Sequence, residues 1–297
     1  MIRPPFLAQN DCIAIVATAR SVQIEAIKEA QKLLKAEGFE VKIGNSIGLV
    51  NHQFAGNDEE RASDFEHQLK DPKVKAIWCA KGGYGSARII DLIDWDLLVE
   101  NPKWVIGYSD VTAILGHIFN LGLQSLHAQM PVGIVNKSEA SFHSLIQRLR
   151  GEKSDYQLPH NSFNSFGKAS GKLIGGNLSV LYSIIGTKSF PVFQDNILFI
   201  EDLDEYLYHI DRMMQNFKRN GLLTQLNGII VGGMTEMNDN QIPFGKNAIE
   251  IIYTYTKDLH IPVAFDFPAG HVYDNKALVI GCDVQLEVNQ KGSLVIF

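Results

Sequence analysis

Ser109 lies in the run Val105-Ile-Gly-Tyr-Ser-Asp-Val-Thr112, where an apolar strand-like stretch turns into a helix-period segment. A serine at such a junction has the geometry of a nucleophile elbow, and Gly107, two residues earlier, permits the tight turn. The hydroxyl is then held up at the strand's C-terminal end. The backbone N–H of Asp110 starts the helix and points toward a developing oxyanion. The pattern departs from G-x-S-x-G, since Val111 and Thr112 replace the second glycine. The competing expectation is that Ser109 only caps the helix, as Ser before a helix commonly does.

Lys81-Gly-Gly-Tyr-Gly-Ser86 follows the preceding strand-like run. Its backbone N–H groups can cradle a phosphate, supply one donor to an oxyanion hole, or simply close a turn. It is neither a Walker loop nor G-x-G-x-x-G, so the nucleotide reading is weak. Both this loop and the Ser109 turn fall at the C-terminal ends of successive strands, the edge where α/β proteins place their sites.

Glu201 ends the apolar run Ile197–Ile200, where a carboxylate is costly unless it has a partner. The acidic residues after it, Asp204 among them, read as a solvated face. A histidine would be a partner for Glu201, and His271 sits on the Pro268-Ala-Gly-His271 turn. Ser109, Glu201 and His271 follow the Ser…Asp/Glu…His order of one hydrolase class, although spacing alone does not bring them together. Rival chemistry is weaker. Cys79 lies inside an apolar run and reads as a buried core thiol. No H-E-x-x-H or C-x-x-C occurs, and His209-x-Asp211 has no third ligand, so no metal site is expected.

The elements that must position these residues alternate in type. Short apolar runs at Cys12–Ala17, Val41–Ile43, Ala76–Ala80, Trp104–Gly107 and Leu123–Leu126 are separated by helix-period segments. Asn57 with Glu60 resembles a capping box that opens a charged helix to about Asp71. Such alternation predicts an open parallel sheet with helices on both faces. The polar stretch 151–170 lacks periodicity and reads as a linker. Beyond it, a helix near Leu178–Ile185, strands at Ile197–Ile200 and Gly228–Val231, helices over Tyr206–Arg219 and Ala248–Tyr255, and three late apolar runs predict a mixed sheet or partial barrel with a few helices. The expected fold is therefore α/β, a parallel-sheet domain over 1–150 followed by a β-rich α/β domain over 171–297.

Composition narrows the partners. In 297 residues, 45% are hydrophobic and 20% charged, the profile of an ordinary globular protein. With 27 Lys and Arg against 33 Asp and Glu, the net charge of −6 provides no basic field for nucleic acid. Three scattered cysteines suit a reducing compartment. The absence of an apolar leader or an 18-residue apolar run leads to the expectation of a cytoplasmic protein without membrane attachment.

Several motifs in one order carry a resemblance along nearly the whole chain. They are Phe54-Ala-Gly-Asn-Asp-Glu-Glu-Arg61, Lys81-Gly-Gly-Tyr-Gly85, Ile106-Gly-Tyr-Ser-Asp-Val-Thr112, Gly175-Gly-Asn-Leu-Ser179, Ile197-Leu-Phe-Ile-Glu-Asp202 leading to Asp211-Arg212, and Pro268-Ala-Gly-His271. The chain resembles the serine peptidase family of L,D-carboxypeptidases that also contains the microcin C immunity peptidases. The resemblance implies a flavodoxin-like N-terminal domain carrying the serine and a C-terminal domain carrying Glu and His, usually in a homodimer. It matches Ser109 to the nucleophile, Glu201 to the triad carboxylate, His271 to the general base, and Gly83 and Asp110 to the backbone oxyanion donors. It implies no metal or organic cofactor. The implied substrate is a cytoplasmic murein tetrapeptide, which loses its terminal D-alanine during cell-wall recycling. Lys81 stands where the family commonly has Arg, and His127-Ala-Gln-Met-Pro131 replaces a family His followed by Gly-Pro; both departures bear on the substrate pocket. Two alternatives are an immunity-type peptidase acting on an aminoacyl-nucleotide amide and a non-catalytic small-molecule binding protein. The first tends to be longer, and an intact Ser109, Glu201 and His271 argues against the second.

Overall fold

The computed structural model describes residues 1–297. Its first seven strands are β1 (Cys12–Val16), β2 (Glu40–Ile43), β3 (Val74–Cys79), β4 (Trp104–Gly107), β5 (Ser125–His127), β6 (Tyr156–Leu158) and β7 (Gly167–Asn177). The remaining six are β8 (Ile197–Leu203), β9 (Gly228–Thr235), β10 (Val263–Ala264), β11 (Leu278–Ile280), β12 (Asp283–Asn289) and β13 (Gly292–Ile296). They form two sheets, ordered β11-β5-β4-β3-β1-β2 and β10-β9-β8-β7-β12-β13-β6.

In the first sheet β1 to β5 are parallel, as the strand–helix alternation predicts. All five residues of β1 are buried, because helices cover both faces of a parallel sheet. Successive side chains then enter different cores. Ile13, Ile15, Trp78 and Trp104 join one apolar cluster, while Ala14, Val16, Ile77 and Val105 join another. The second cluster continues through Leu198, Phe199, Ile200 and Ile230 of the other sheet. The two sheets therefore share a core. The helix Thr112–Asn120 lies at that junction, with every residue from Thr112 to Phe119 buried.

The second sheet is mixed. β7, β8, β9 and β10 run parallel, and β12, β13 and β6 add antiparallel pairings. Two boundaries differ from expectation. The stretch 151–170 is not a bare linker, since β6 pairs with β13 and β7 begins at Gly167. β6 is the edge strand and the first residues of β7 are at most half buried, so the stretch carries little apolar signal. The span 171–297 also does not stay in one sheet: β11 pairs antiparallel with β5 and completes the first. That pairing returns the chain across the molecule immediately after the His271 turn.

The expected helix after Asn57 forms at Asp58–Lys70 with a reciprocal capping box: Asn57 Oδ1 accepts from Glu60 N, and Glu60 Oε2 accepts from Asn57 N, both at 2.7 Å. Arg61 on that helix is buried and donates to the carbonyls of Thr18 and Gly56. This clamps the chain leaving β1 beside the glycine loop.

Candidate active site

β4 delivers the chain to Tyr108 in extended conformation, and Ser109 then adopts φ 61°. A left-handed non-glycine residue stores about 1–3 kcal/mol of strain, held here by the surrounding fold. A 3₁₀ turn over Ser109–Val111 leads into the helix Thr112–Asn120. Ser109 is not the cap. A capping serine is extended and bonds a helix N–H, whereas here Tyr108 occupies the cap position and no side chain caps the turn. Gly107 is required by the tightness of the bend, since a Cβ there would lie 2.8–2.9 Å from the Val111 side chain.

The glycine loop after β3 packs directly on this elbow. A Cβ on Gly82 would lie 3.1 Å from Ser109 Cβ, 3.2 Å from its Oγ and 3.3 Å from the Asp110 backbone nitrogen. The far end of the loop is fixed by the same residue, because Asp110 Oδ2 accepts from Ser86 N at 2.8 Å. Burial raises the Asp110 carboxyl above its ordinary range. Asp110 thus presents a backbone N–H at the elbow while its side chain anchors the loop. Gly82 thus packs against Ser109, and a Cβ on the next residue, Gly83, would meet the Arg20 side chain.

Glu201 stands near the end of β8, beside a register irregularity between β8 and β9 at Ile200–Asp202. Such a bulge re-aims side chains, and Glu201 and Asp202 are both buried. Glu201 Oε2 accepts from His271 twice, pairing with ring Nδ1 at 2.7 Å and backbone N at 3.1 Å. The turn that carries His271 is clasped by the first half of the chain. Lys137 Nζ donates to Val272 O at 2.7 Å, Ser138 N to Tyr273 O at 3.0 Å, and Asn275 N to Ser141 Oγ at 2.8 Å. Within the turn, Gly270 N donates to Asn275 Oδ1. The ring of Tyr108, the residue before Ser109, sits 4.8 Å from the His271 ring. The contacts thus join Glu201 to His271 and set the His271 ring against Tyr108, the residue before Ser109.

The electrostatics suit proton transfer. Burial alone would raise the Glu201 carboxyl, but the neighbouring imidazole outweighs it and holds the group below its usual range. Burial would lower His271, and the Glu201 charge reverses this, so its pKa lies above the ordinary 6.5. With Nδ1 held by Glu201, Nε2 is the nitrogen left to exchange a proton with a substrate or serine. His271 makes its side-chain hydrogen bond to Glu201 and none to Ser109, and a catalytic hydrogen bond often forms or tightens only when substrate binds. Behind the pair, His127 is fully buried, makes no hydrogen bond, and is pushed down to about 4 by burial. It therefore stays neutral and packs edge-on against Phe199 at 5.0 Å.

The rival chemistries do not assemble. Cys79 is buried and its thiol is pushed up to about 12 by burial. His209 pairs with Glu205 at 2.5 Å, and Asp211 accepts from Tyr255 at 2.8 Å. No cluster of three His, Cys, Asp or Glu side chains is placed to hold a metal ion. Arg20, Gly82, Lys137 and Asn177 were not expected at the site. Gly82 and Asn177 were visible only inside the Lys81–Gly85 and Gly175–Ser179 motifs, and Arg20 and Lys137 give no local signal because their contacts are long-range.

Residues 13–128 match the LD-carboxypeptidase N-terminal domain and residues 170–286 the C-terminal domain. The chain is 32% identical to a putative carboxypeptidase of Synechocystis over 96% of its own length and 94% of the relative's. It is 31% identical to a probable murein peptide carboxypeptidase of Bacillus subtilis, over 99% and 94%. The microcin C7 self-immunity protein MccF of Escherichia coli is 25% identical over 96% and 93%. Among solved structures, muramoyltetrapeptide carboxypeptidase from Oxalobacter formigenes superposes with a TM-score of 0.88 at 25% identity, covering 96% of this chain and 98% of that one. Two domain matches in sequence, full-length relatives and a common fold make this chain a member of the LD-carboxypeptidase family.

Proposed function

We propose that this protein is a serine-type L,D-carboxypeptidase that removes the terminal D-alanine from murein tetrapeptide, as a cytoplasmic step of cell-wall recycling. The observation that carries the reading is buried Glu201 paired with half-buried His271 at 2.7 Å, with the His271 ring against Tyr108, the residue before a serine held at φ 61°. His271 Nε2 takes the Ser109 proton as Oγ attacks the carbonyl of the L-centre of the diamino acid. Glu201 orients the ring through Nδ1 and stabilises its charged form. Backbone N–H groups of the glycine loop, at Gly83, and of Asp110 receive the oxyanion. The C–N bond then breaks, His271 returns the proton to the leaving amine, and D-alanine departs. Water, deprotonated by the same imidazole, releases the shortened peptide from Ser109.

Mass spectrometry of L-Ala-γ-D-Glu-meso-diaminopimelate-D-Ala incubated with the wild type and with Ser109→Ala tests this. Loss of one alanine by the wild type alone is the expected result. An intact tetrapeptide in both, with cleavage of an aminoacyl-nucleotide amide, would move the assignment to the immunity-type reaction.

A further inference from the structure

An exopeptidase that removes one residue must recognise the negative charge at the end of its substrate. That carboxylate lies one residue beyond the scissile carbonyl, about 3.5 Å of extended chain. The cation that meets it must therefore sit close to the serine, reach outward, and not already be spent on a carboxylate of the protein.

The glycine loop provides the measure of distance. Gly82 lies against Ser109, and the next residue, Gly83, lies against Arg20. A Cβ on Gly83 would be 2.5 Å from both Cδ and Nε of Arg20 and 2.9 Å from its Cγ. The Arg20 arm therefore lies flat across the backbone of Gly83, in space that any other residue would fill. Gly83 also has φ 107°, so the position favours glycine for its backbone as well. Ser109 and the Arg20 arm therefore pack against successive residues of one loop, whose Cα atoms are about 3.8 Å apart.

The neighbouring cations are committed elsewhere. Arg88 makes a forked pair with Asp58, and Arg61 is buried on the same carboxylate and three carbonyls. Lys137 donates to Val272 O on the His271 turn. Arg20 is exposed and makes neither an ion pair nor a side-chain hydrogen bond, and Lys81, at the loop's start, shares that freedom. Arg20 is the more exposed of the two, Lys81 being half-buried. The Arg20 charge is felt at Asp110, the residue after Ser109, where it opposes the effect of burial on that carboxyl. A guanidinium is also a planar fork matched to a carboxylate's two oxygens.

We infer that Arg20 binds the terminal carboxylate of the departing amino acid and so restricts cleavage to the last residue of the peptide. The inference rests on the carboxypeptidase reading of the same site. It also gives Gly83 a second duty: it leaves room for the arm as well as offering its N–H.

The test compares the tetrapeptide ending in free D-alanine with the same peptide ending in D-alaninamide. The wild type is expected to prefer the acid strongly. In Arg20→Gln, kcat/KM for the acid should fall about 30- to 100-fold, the size of a lost charge-assisted hydrogen bond, chiefly through KM. The amide carries no charge for Arg20 to bind and should fall by no comparable factor. Arg20→Lys should recover part of the preference, and Lys81→Met should keep it. An unchanged acid-to-amide ratio in Arg20→Gln, or collapse of the ratio in Lys81→Met instead, would overturn the assignment. Failure of the wild type to cleave either peptide would overturn the substrate reading itself, a result distinguishable from both.

Discussion

The backbone N–H of Asn177 donates to the Thr112 hydroxyl at 3.0 Å, fastening the strand that pairs with Glu201 to the helix that follows Ser109. The approach is close: a Cβ on Gly176 would lie 2.6 Å from Thr112 Oγ1. On the other side, Asn177 Nδ2 donates to Asp202 at 2.9 Å, next to Glu201. A short buried chain, Thr112–Asn177–Asp202, thus sets the spacing between the proposed nucleophile and the carboxylate that orients its base.

Thr112→Val should expose the consequence of breaking that chain. It leaves a buried backbone donor unpaired, a loss of about 1–3 kcal/mol. Thermal unfolding should register about 2–4 °C per kcal/mol in a chain of this size. Steady-state kinetics should show a fall in kcat with little change in KM, because substrate still binds while serine and base are misplaced. Thr112→Ser keeps the acceptor and should restore both. A Thr112→Val enzyme as stable and active as the wild type would show that the contact positions nothing.

The pH profile tests the Glu201–His271 pair. A raised His271 pKa means that the base becomes neutral only above 6.5, so the acid limb of kcat/KM should have its midpoint above that value. Stability moves the opposite way. The contribution of the raised His271 is fully present below its unfolded-state pKa and is lost as pH rises through the folded-state value, whereas that of the depressed Glu201 is lost as pH falls through its own folded-state value. Glu201→Gln removes the charge that lifts the imidazole and leaves burial to lower it. Its acid limb should shift below 6.5, with a rate loss on the order of 10³-fold or more from the misoriented base. An acid limb unmoved in Glu201→Gln would mean that some group other than His271 titrates.

Gly82→Ala probes the oxyanion face without touching a catalytic side chain. The added methyl would sit 3.2 Å from Ser109 Oγ and 3.3 Å from the Asp110 nitrogen, tight but not impossible. The fold should therefore survive with a small change in Tm. Catalysis should fall about 10²-fold, comparable to losing one oxyanion donor. Equal losses of stability and activity would argue that the methyl disturbs packing and not the reaction centre.

How much of this was legible beforehand depends on whether each signal was local. The Ser109 elbow was visible as strand, Gly107, serine, helix, yet only the left-handed backbone separates a nucleophile turn from a cap. The Asn57–Glu60 box announced its helix because both partners lie within one turn. His271 could be marked as a histidine on a Pro-Gly turn. Its support by Lys137, Ser138 and Ser141 could not, since those residues lie more than 130 positions away and belong to no periodic pattern. The same holds for β11, three apolar residues whose pairing with β5 is a tertiary choice. Arg20 left no trace at all: a long-range contact between a side chain and a glycine has no signature in composition or spacing.

The central claim is that Ser109 is a nucleophile activated by His271. Its most direct test is labelling of the purified protein with a serine-directed phosphonate, read by intact mass and mapped by peptide mass spectrometry. A single adduct on Ser109 that is absent in Ser109→Ala and strongly slowed in His271→Ala is the predicted result. An adduct on another residue, or labelling of Ser109 at the same rate without His271, would contradict it.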